Sequence, residues 1–147
     1  MIVDLPDDLP AVAADPDELV QVFTNLLRNA VQAIEATGRG YGRIAIAGKT
    51  TRGRVELRIG DDGIGIPNEN LDKVFEAGFT TKPREQGTGL GLNISRRFIR
   101  ECHGDVEILE TAADRGTTFL IWFPRQEQAR DAEKKIKEVK GGASWRL

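Results

Sequence analysis

A long amphipathic segment near the start is the feature of this 147-residue chain that most constrains its fold. Between Leu19 and Ile34, apolar residues recur at the spacing of one helix face. Asp15 and Pro16 before this run are typical of a helix start, and Gly38 after it is typical of a helix end. A helix with one apolar stripe needs a second layer to pack against, so the rest of the chain has to supply that layer.

The remaining segments predict strands and two further helices. Two pairs of segments alternate apolar with polar or small residues and predict antiparallel strands: 43–48 with 54–60, and 106–109 with 117–123. Residues 68–76 and 89–102 predict helices. The order of helix, hairpin, helices and hairpin indicates an α+β fold, a two-layer α/β sandwich with helices on one face of a mixed, mostly antiparallel sheet.

Composition excludes several classes of protein. Lys plus Arg total 21 and Asp plus Glu total 23, a net charge of −2, which leaves no positive excess for nucleic acid or anionic lipid. A single cysteine, Cys102, and a single histidine are too few for an internal disulfide or a zinc site. The sequence has no basic apolar leader and no run of 18 apolar residues. We therefore expect a cytoplasmic domain without membrane contact, whose full-length parent could be membrane-anchored.

Charge also divides the chain into a domain and a tail. Residues 125–147 carry seven basic and four acidic side chains, whereas residues 1–124 are net acidic. This difference predicts a boundary near Pro124 between a compact domain, residues 1–124, and a C-terminal helical or flexible extension, residues 125–147. An apolar seam in the tail favours a solvated helix over a partner helix or a linker; it consists of Ala129, Ala132, Ile136 and Val139.

Two asparagines on the first predicted helix are candidate metal ligands. Asn25 and Asn29 are four residues apart, so both side chains project from one face. Mg²⁺ keeps several waters and takes few protein ligands besides the phosphate oxygens that it bridges. By itself the pair is more often solvated than metal-binding, so it needs support from other motifs.

Two glycine-containing motifs indicate a nucleotide. The first, residues 61–67, follows a predicted strand, and its carboxylate could accept a hydrogen bond from the amine of a purine. Taken alone, the motif favours an ordinary Asp/Gly turn over a purine pocket. The second, residues 86–92, alternates glycines just before a helix N-terminus, which suits phosphate. Its spacing fits neither the Walker A nor the Rossmann pattern.

Between these motifs, residues 75–85 are typical of a loop that closes over a ligand. The segment contains glycine and two cations, Lys82 and Arg84, which could reach phosphates or merely solvate the loop.

The four motifs occur in one order, and together they resemble the N, G1, F and G2 boxes of sensor histidine kinase catalytic domains. These domains belong to the Bergerat-fold superfamily, which includes gyrase B. The resemblance spans residues 1–124, and it implies an ATP-binding α/β sandwich that uses ATP and Mg²⁺.

Carried over position by position, the resemblance assigns roles to individual residues. Asn29 would coordinate Mg²⁺, and Asn25 would assist at the phosphates or the metal, which makes these two the catalytic pair. Asp61 would bind adenine N6, with Gly63 and Gly65 shaping the pocket. The other implied nucleotide contacts are Arg28, Ile66, Phe75 as the loop anchor, Lys82, Gly87, Thr88, Gly89, Leu90, Gly91, and Thr117 or Thr118.

One position distinguishes kinases from ATPases within the superfamily. Gyrase-like members have a glutamate as general base one turn before the metal-binding asparagine, and here that position is Asn25. An amide cannot take a proton at neutral pH, so we expect slow intrinsic hydrolysis and donation of the γ-phosphoryl group.

The resemblance implies a two-component histidine kinase that acts on a histidine in a separate dimerisation domain, in cis or in trans, with a response regulator downstream. The only histidine, His103, lies at a predicted helix end, which indicates a structural role. We expect this chain to be monomeric. Two alternatives stay open from the sequence: a serine kinase of the anti-sigma type, and a nucleotide-binding sensor that transfers no phosphate.

Overall fold

Two α-helices and five strands make up the part of the chain that the computed structural model describes, residues 1–51, 53–81 and 89–125. In chain order the elements are β1 (Ile2–Asp4), α1 (Pro16–Glu35), β2 (Ile44–Thr51), β3 (Arg54–Asp61), a 3-10 turn (Asn68–Asn70), α2 (Gly91–Glu101), β4 (Asp105–Ala112) and β5 (Gly116–Pro124). The predicted tail helix lies outside the described residues.

The five strands form one sheet in the order β1-β2-β3-β5-β4. β1 is parallel to β2, and the other neighbouring pairs are antiparallel. The predicted mixed, mostly antiparallel sheet is therefore confirmed. β1 itself was not predicted, because three residues are too few to show an alternating pattern.

Helix α1 begins where the sequence predicts. The Asp15 side chain accepts hydrogen bonds from the backbone N–H groups of Asp17 and Glu18, at 2.9 and 3.2 Å. These bonds satisfy two donors that a helix start leaves open. The helix ends at Glu35, and Gly38 then adopts a φ of +70°, a left-handed conformation that ends the turn.

The hydrophobic core lies between the helices and one face of the sheet. Along α1, every fourth residue is buried, namely Val22, Leu26 and Ala30. Full burial of a large apolar side chain is worth about 1.5–3 kcal/mol, so this layer stabilises the arrangement of the helices over the sheet. The core cluster is completed by Ile59, Phe98, Ile99, Val106, Phe119, Ile121 and Phe123.

The predicted helix over residues 68–76 is wrong. The structure has a single 3-10 turn at Asn68–Asn70, followed by hydrogen-bonded turns up to Phe75. Asn and Asp side chains compete for backbone hydrogen bonds and disfavour a helix interior, and here they occupy positions 68, 70 and 72.

The C-terminal end of α2 shows the structural role of His103. His103 is exposed with a φ of +62°, and its N–H donates to the carbonyl oxygen of Arg100 at 2.9 Å. Gly104 next to it is buried, where an added Cβ would collide with the backbone of Trp122. Burial raises the pKa of the neighbouring Cys102 thiol, as do Glu18 and Glu101, so a reactive thiolate is disfavoured.

The sheet brings three strand ends together near α1, those of β3, β4 and β5. Because β3 and β5 are antiparallel, the end of β3 at Asp61 lies beside the start of β5 at Gly116, and the β4–β5 turn lies at the same edge. Residues 61–67, which the sequence predicts as part of an adenine pocket, therefore begin at this edge of the sheet. Within the described ranges, neither helix is long and apolar enough to cross a membrane.

Candidate functional site

A partly buried carboxylate lies at the end of β3. The Asp61 carboxylate accepts the backbone N–H of Gly63 at 2.8 Å and also that of Thr117. Burial is the larger effect and raises the pKa of Asp61, while these two hydrogen bonds lower it. A carboxylate has about four lone-pair sites, so Asp61 keeps capacity for an external donor such as an amine.

The loop after Asp61 is fixed to both layers of the fold. The N–H of Ile64 donates to the carbonyl of Ala33 in α1 at 3.1 Å, and the carbonyl of Ile64 accepts from Asp114 in the β4–β5 turn at 3.0 Å. Gly63 packs so closely that an added Cβ would lie 2.5 Å from the carbonyl carbon of Ala33. Gly65 has a φ of +75°, and an added Cβ there would collide with the carbonyl oxygen of Ala112. Both glycines are therefore required by the space available.

Threonine side chains extend this network. Thr111 Oγ1 accepts the N–H of Ile66 at 2.9 Å and lies 3.0 Å from Oγ1 of Thr117, which is buried. Thr118 lies on the other face of the sheet, where an added Cβ on Gly60 would be 3.1 Å from its Oγ1. Of the two threonines that the resemblance leaves open, Thr117 is the one beside Asp61. Sequence reasoning missed Thr111, because nothing in the β4 pattern marks it.

The asparagine pair lies on the same face of α1 as Ala33. Asn25 Nδ2 donates to the carbonyl of Gly91 at 3.4 Å and to Oγ of Ser95 at 3.3 Å, which ties α1 to the first turn of α2. Asn29 is half-buried, and its side chain makes no hydrogen bond to any described residue. Its amide is thus available to a ligand.

The N-terminus of α2 is a candidate anion site. Among the described residues no side chain caps it, and its first turn carries no acidic residue. Its amides and the positive end of the helix dipole therefore favour a negative group such as phosphate. Leu90, just before the helix, is 42% exposed.

Two glycines join the ends of the segment that precedes α2. The N–H of Gly78 donates to the carbonyl of Gly89 at 3.0 Å, and Gly89 has a φ of +66°. An added Cβ on Gly89 would lie 2.5 Å from the carbonyl carbon of Gly78. Phe75 is held nearby, since its carbonyl accepts from Asn93 Nδ2 at 2.9 Å. Asn93 is a further residue that sequence reasoning missed.

Several residues that are predicted to contact the nucleotide lie outside the described residues, and one more adds no described interaction to the site. Lys82, Arg84, Gly87 and Thr88 fall in the undescribed range 82–88. Arg28 is described and exposed on α1.

The assembled site is elongated. Asn25, Asn29 and Ala33 are spaced four residues apart on one face of α1, and at about 1.5 Å rise per residue they span about 12 Å. The carboxylate of Asp61 lies beside one end of this stretch, and the α2 N-terminus contacts the other. The arrangement suits a ligand with a hydrogen-bond donor at one end and an anionic group at the other.

A separate surface cleft of about 600 Å³ lies near the end of α1, with Val31, Ile34, Tyr41 and Ile44 among its lining residues. Its described lining residues are mostly apolar and include no Lys or Arg.

Comparison with known proteins identifies the family. The family described as "Histidine kinase-, DNA gyrase B-, and HSP90-like ATPase" matches residues 14–127. The sensor histidine kinase ZraS of Escherichia coli (strain K12) is 36% identical over 118 residues, which cover 80% of this chain and 24% of ZraS. The chain thus spans about a quarter of that kinase.

Solved structures agree. The nucleotide-free catalytic domain of histidine kinase ThkA has a TM-score of 0.72 at 29% identity, covering 88% of this chain and 80% of that domain. Full-length ShkA in complex with AMPPNP has a TM-score of 0.69 at 28% identity, covering 84% of this chain and 25% of ShkA. The chain belongs to the family of histidine kinase-, DNA gyrase B- and HSP90-like ATPases, as a catalytic ATP-binding domain similar to those of sensor histidine kinases.

Proposed function

We propose that this domain binds Mg·ATP along α1 and transfers the γ-phosphoryl group to a histidine of a separate helical domain. The observation that carries the proposal is that the Asp61 carboxylate and the α2 N-terminus, which no described side chain caps, both lie against one face of α1. The first suits the amine of adenine and the second suits phosphate.

At the adenine end, Asp61 accepts the hydrogen bond of adenine N6. The two backbone donors from Gly63 and Thr117 hold the carboxylate in place before the ligand arrives. Gly63 and Gly65 leave room for the flat ring, and Ile66 contributes an apolar wall packed against the core. This fixed geometry favours adenine over a base that lacks the exocyclic amine.

At the phosphate end, Asn29 holds a hydrated Mg²⁺ with help from Asn25. Oxygen ligands and few protein contacts suit this ion, and the half-buried amide of Asn29 is open to it. Bound there, the ion would neutralise charge on the phosphates. The α2 amides that begin at Gly91, with Gly89 and Leu90 before them, support the phosphates from the other side. Arg28, Lys82, Gly87 and Thr88 remain candidates for further phosphate contacts.

Transfer depends on an acceptor from outside this chain. The bond between the γ-phosphorus and the ADP oxygen breaks as a bond forms to an imidazole nitrogen of the acceptor, and the proton of the imidazole goes to a base beside it. Catalysis rests on position and charge neutralisation. Asn25 cannot act as a base for water, so hydrolysis is slow. The acceptor is a dimerisation domain, in cis or in trans, and a response regulator receives the group afterwards.

Calorimetry tests binding first. ADP and a non-hydrolysable ATP analogue should bind with micromolar-range affinity in Mg²⁺, and more weakly in EDTA. Absence of binding in both buffers would refute the proposal at its base.

Labelled ATP then tests transfer to a helical domain that carries an acceptor histidine. An acid-labile, base-stable label on that domain supports histidine transfer. A base-labile, acid-stable label would indicate a serine acceptor, and the sensor histidine kinase relatives argue against that outcome. Binding without any transfer would indicate a nucleotide sensor.

A further inference from the structure

An acidic residue at the start of β4 holds two arginines of α2. The Asp105 carboxylate accepts from Arg96 Nε at 2.8 Å and from its NH2 group at 3.2 Å. It also accepts from Arg100 Nε at 3.1 Å and its NH2 group at 3.0 Å, and from the backbone N–H of Val106 at 2.7 Å. None of these residues belongs to the proposed nucleotide contacts.

This cluster is ionised at any physiological pH. Partial burial raises the pKa of Asp105, but the hydrogen bonds from Arg96, Arg100 and Val106 outweigh burial and lower the pKa to about 2. Two-point bonds between guanidinium and carboxylate fix the plane of each guanidinium. Asp105 therefore determines the direction in which Arg96 points.

Arg96 continues from Asp105 to the segment before Gly78. Its Cζ lies 4.4 Å from the centroid of the Phe75 ring, a cation–π contact that Arg100 does not make among the described residues. Phe75 is also held by the bond of its carbonyl to Asn93, and its ring meets the ring of Phe119 edge-on at 6.4 Å. Arg96 and Asn93 of α2 and Phe119 of the core thus contact the side chain or the carbonyl group of Phe75.

Phe75 lies close to the phosphate end of the proposed site. Three residues after it, Gly78 bonds to Gly89, and α2 begins two residues later at Gly91, which contacts Asn25. Any rotation of Phe75 on α2 would therefore be passed to the junction at Gly78 and Gly89. The adenine end has its own bonds to Ala33, Thr111 and the β4–β5 turn, which do not pass through Phe75.

We propose that Asp105 and Arg96 are positioning residues for the phosphate-binding end of the site, acting through the stack of Arg96 on Phe75. The inference rests on the proposed function, because it presumes that phosphates bind at the α2 N-terminus. Neither residue touches the nucleotide. Their effect falls on groups that bind phosphate and leaves adenine recognition at Asp61 unchanged.

The test compares two ligands in matched variants. ADP affinity is measured by calorimetry, and adenosine affinity by the NMR shifts of the Gly63 and Gly65 amides. We expect Arg96→Ala to weaken ADP about tenfold, a loss in the range of one desolvated cation–π contact, with adenosine changed less than about twofold. Arg100→Ala removes an equivalent bond to Asp105 but no ring contact, so it should leave both affinities within about twofold.

Rescue and coupling separate positioning from general stability. Arg96→Lys keeps the charge but loses the two-point bond, so we expect a partial loss for ADP. Phe75→Leu should repeat the ADP loss, and adding Arg96→Ala to it should cost little more, because both changes break one contact. The rate of transfer from saturating ATP should fall with Arg96→Ala and be unaffected by Arg100→Ala.

Three results would overturn the inference: unchanged ADP affinity in Arg96→Ala, equal losses for ADP and adenosine, or additive losses in the double variant. If Arg96→Ala does not fold, Arg96→Lys and Phe75→Leu test the inference through the same ratio of ADP affinity to adenosine affinity. Failure of wild-type protein to bind either ligand would instead refute the proposed function.

Discussion

The two ends of the proposed nucleotide site are built differently. At the adenine end, short hydrogen bonds that involve backbone groups join all the surrounding elements, for example Gly63 to Asp61 at 2.8 Å and Ile66 to Thr111 at 2.9 Å. At the phosphate end, the described hydrogen bonds between α1 and α2 are those of the Asn25 side chain, which are 3.3 and 3.4 Å long. Bonds of that length are weak.

This difference indicates that the two ends of the site have different roles. The adenine end is set by folding, since its carboxylate and its glycine turn are held whether or not a ligand is present. At the phosphate end, no described side chain caps α2 or bonds to the Asn29 amide, so we expect these groups to bind phosphate and Mg²⁺. A substitution at the adenine end should weaken binding of every ligand that contains adenine. A substitution at the phosphate end should weaken only ligands that carry phosphates.

Gly65→Ala should have the largest effect, because the added Cβ collides with the carbonyl of Ala112 at a positive φ. We expect a loss of about 3 kcal/mol in the free energy of unfolding, from strain and displaced backbone together. Gly38→Ala is the matched control, since it shares the positive φ but has open space around it, and should lose about 1 kcal/mol. Equal losses in urea unfolding would show that the tight approach at Gly65 is unimportant.

Asp61→Asn should weaken adenine nucleotides by about 100-fold, because it replaces the acceptor of a charge-assisted hydrogen bond. Free triphosphate should be much less affected. Asp114→Asn, in the exposed β4–β5 turn, serves as the control and should leave affinity unchanged. Calorimetry with ADP decides, and a loss of less than threefold would contradict the assignment of Asp61 to adenine.

Asp105 should make stability depend on pH in acid. Its pKa of about 2 lies below the ordinary 3.8, so ionisation stabilises the fold fully above about pH 4, and this is lost as the pH falls towards 2. The stabilisation amounts to about 2 kcal/mol. Chemical unfolding at several pH values should show a flatter acid limb for Asp105→Asn than for wild type. Parallel curves would show that the two arginines do not stabilise the charge.

Asn29→Ala should have the smallest effect of the four and the most selective one. We expect about a tenfold loss of ATP affinity in Mg²⁺, on the scale of one ligand to a hydrated ion, and none in EDTA. Gln21→Ala, an exposed amide earlier on α1, provides the control. An equal loss with and without Mg²⁺ would place Asn29 against the nucleotide itself and remove the distinction between the two ends.

The sequence predicted the layers of the fold because periodicity reports which face is buried. It predicted α1, α2, both hairpins and the sheet type, but missed β1, which is three residues long and visible only through its pairing with β2. It also predicted a helix over residues 68–76, where polar side chains favour turns.

Site residues were predictable where the backbone itself demands a residue type. Gly63 and Gly65 are required by contacts with Ala33 and Ala112 that only the folded chain reveals, but the glycine pattern marks them. Thr111 and Asn93 hydrogen-bond across long sequence separations, 45 residues to Ile66 and 18 to Phe75. No local pattern reports such bonds, so these residues appear only in three dimensions.

The bond between Gly78 and Gly89 has a consequence for how proteins of this architecture can be altered. Because a backbone hydrogen bond joins Gly78 to Gly89, the stretch between them is closed at its base, and changes in its length should cost the fold mainly loop-closure entropy. Loop-closure entropy grows slowly, by about 0.6 kcal/mol for each doubling of length. Insertions or deletions in this stretch should therefore cost the fold little, whereas nucleotide affinity should respond to them, since Lys82, Gly87 and Thr88 within it are candidate phosphate contacts.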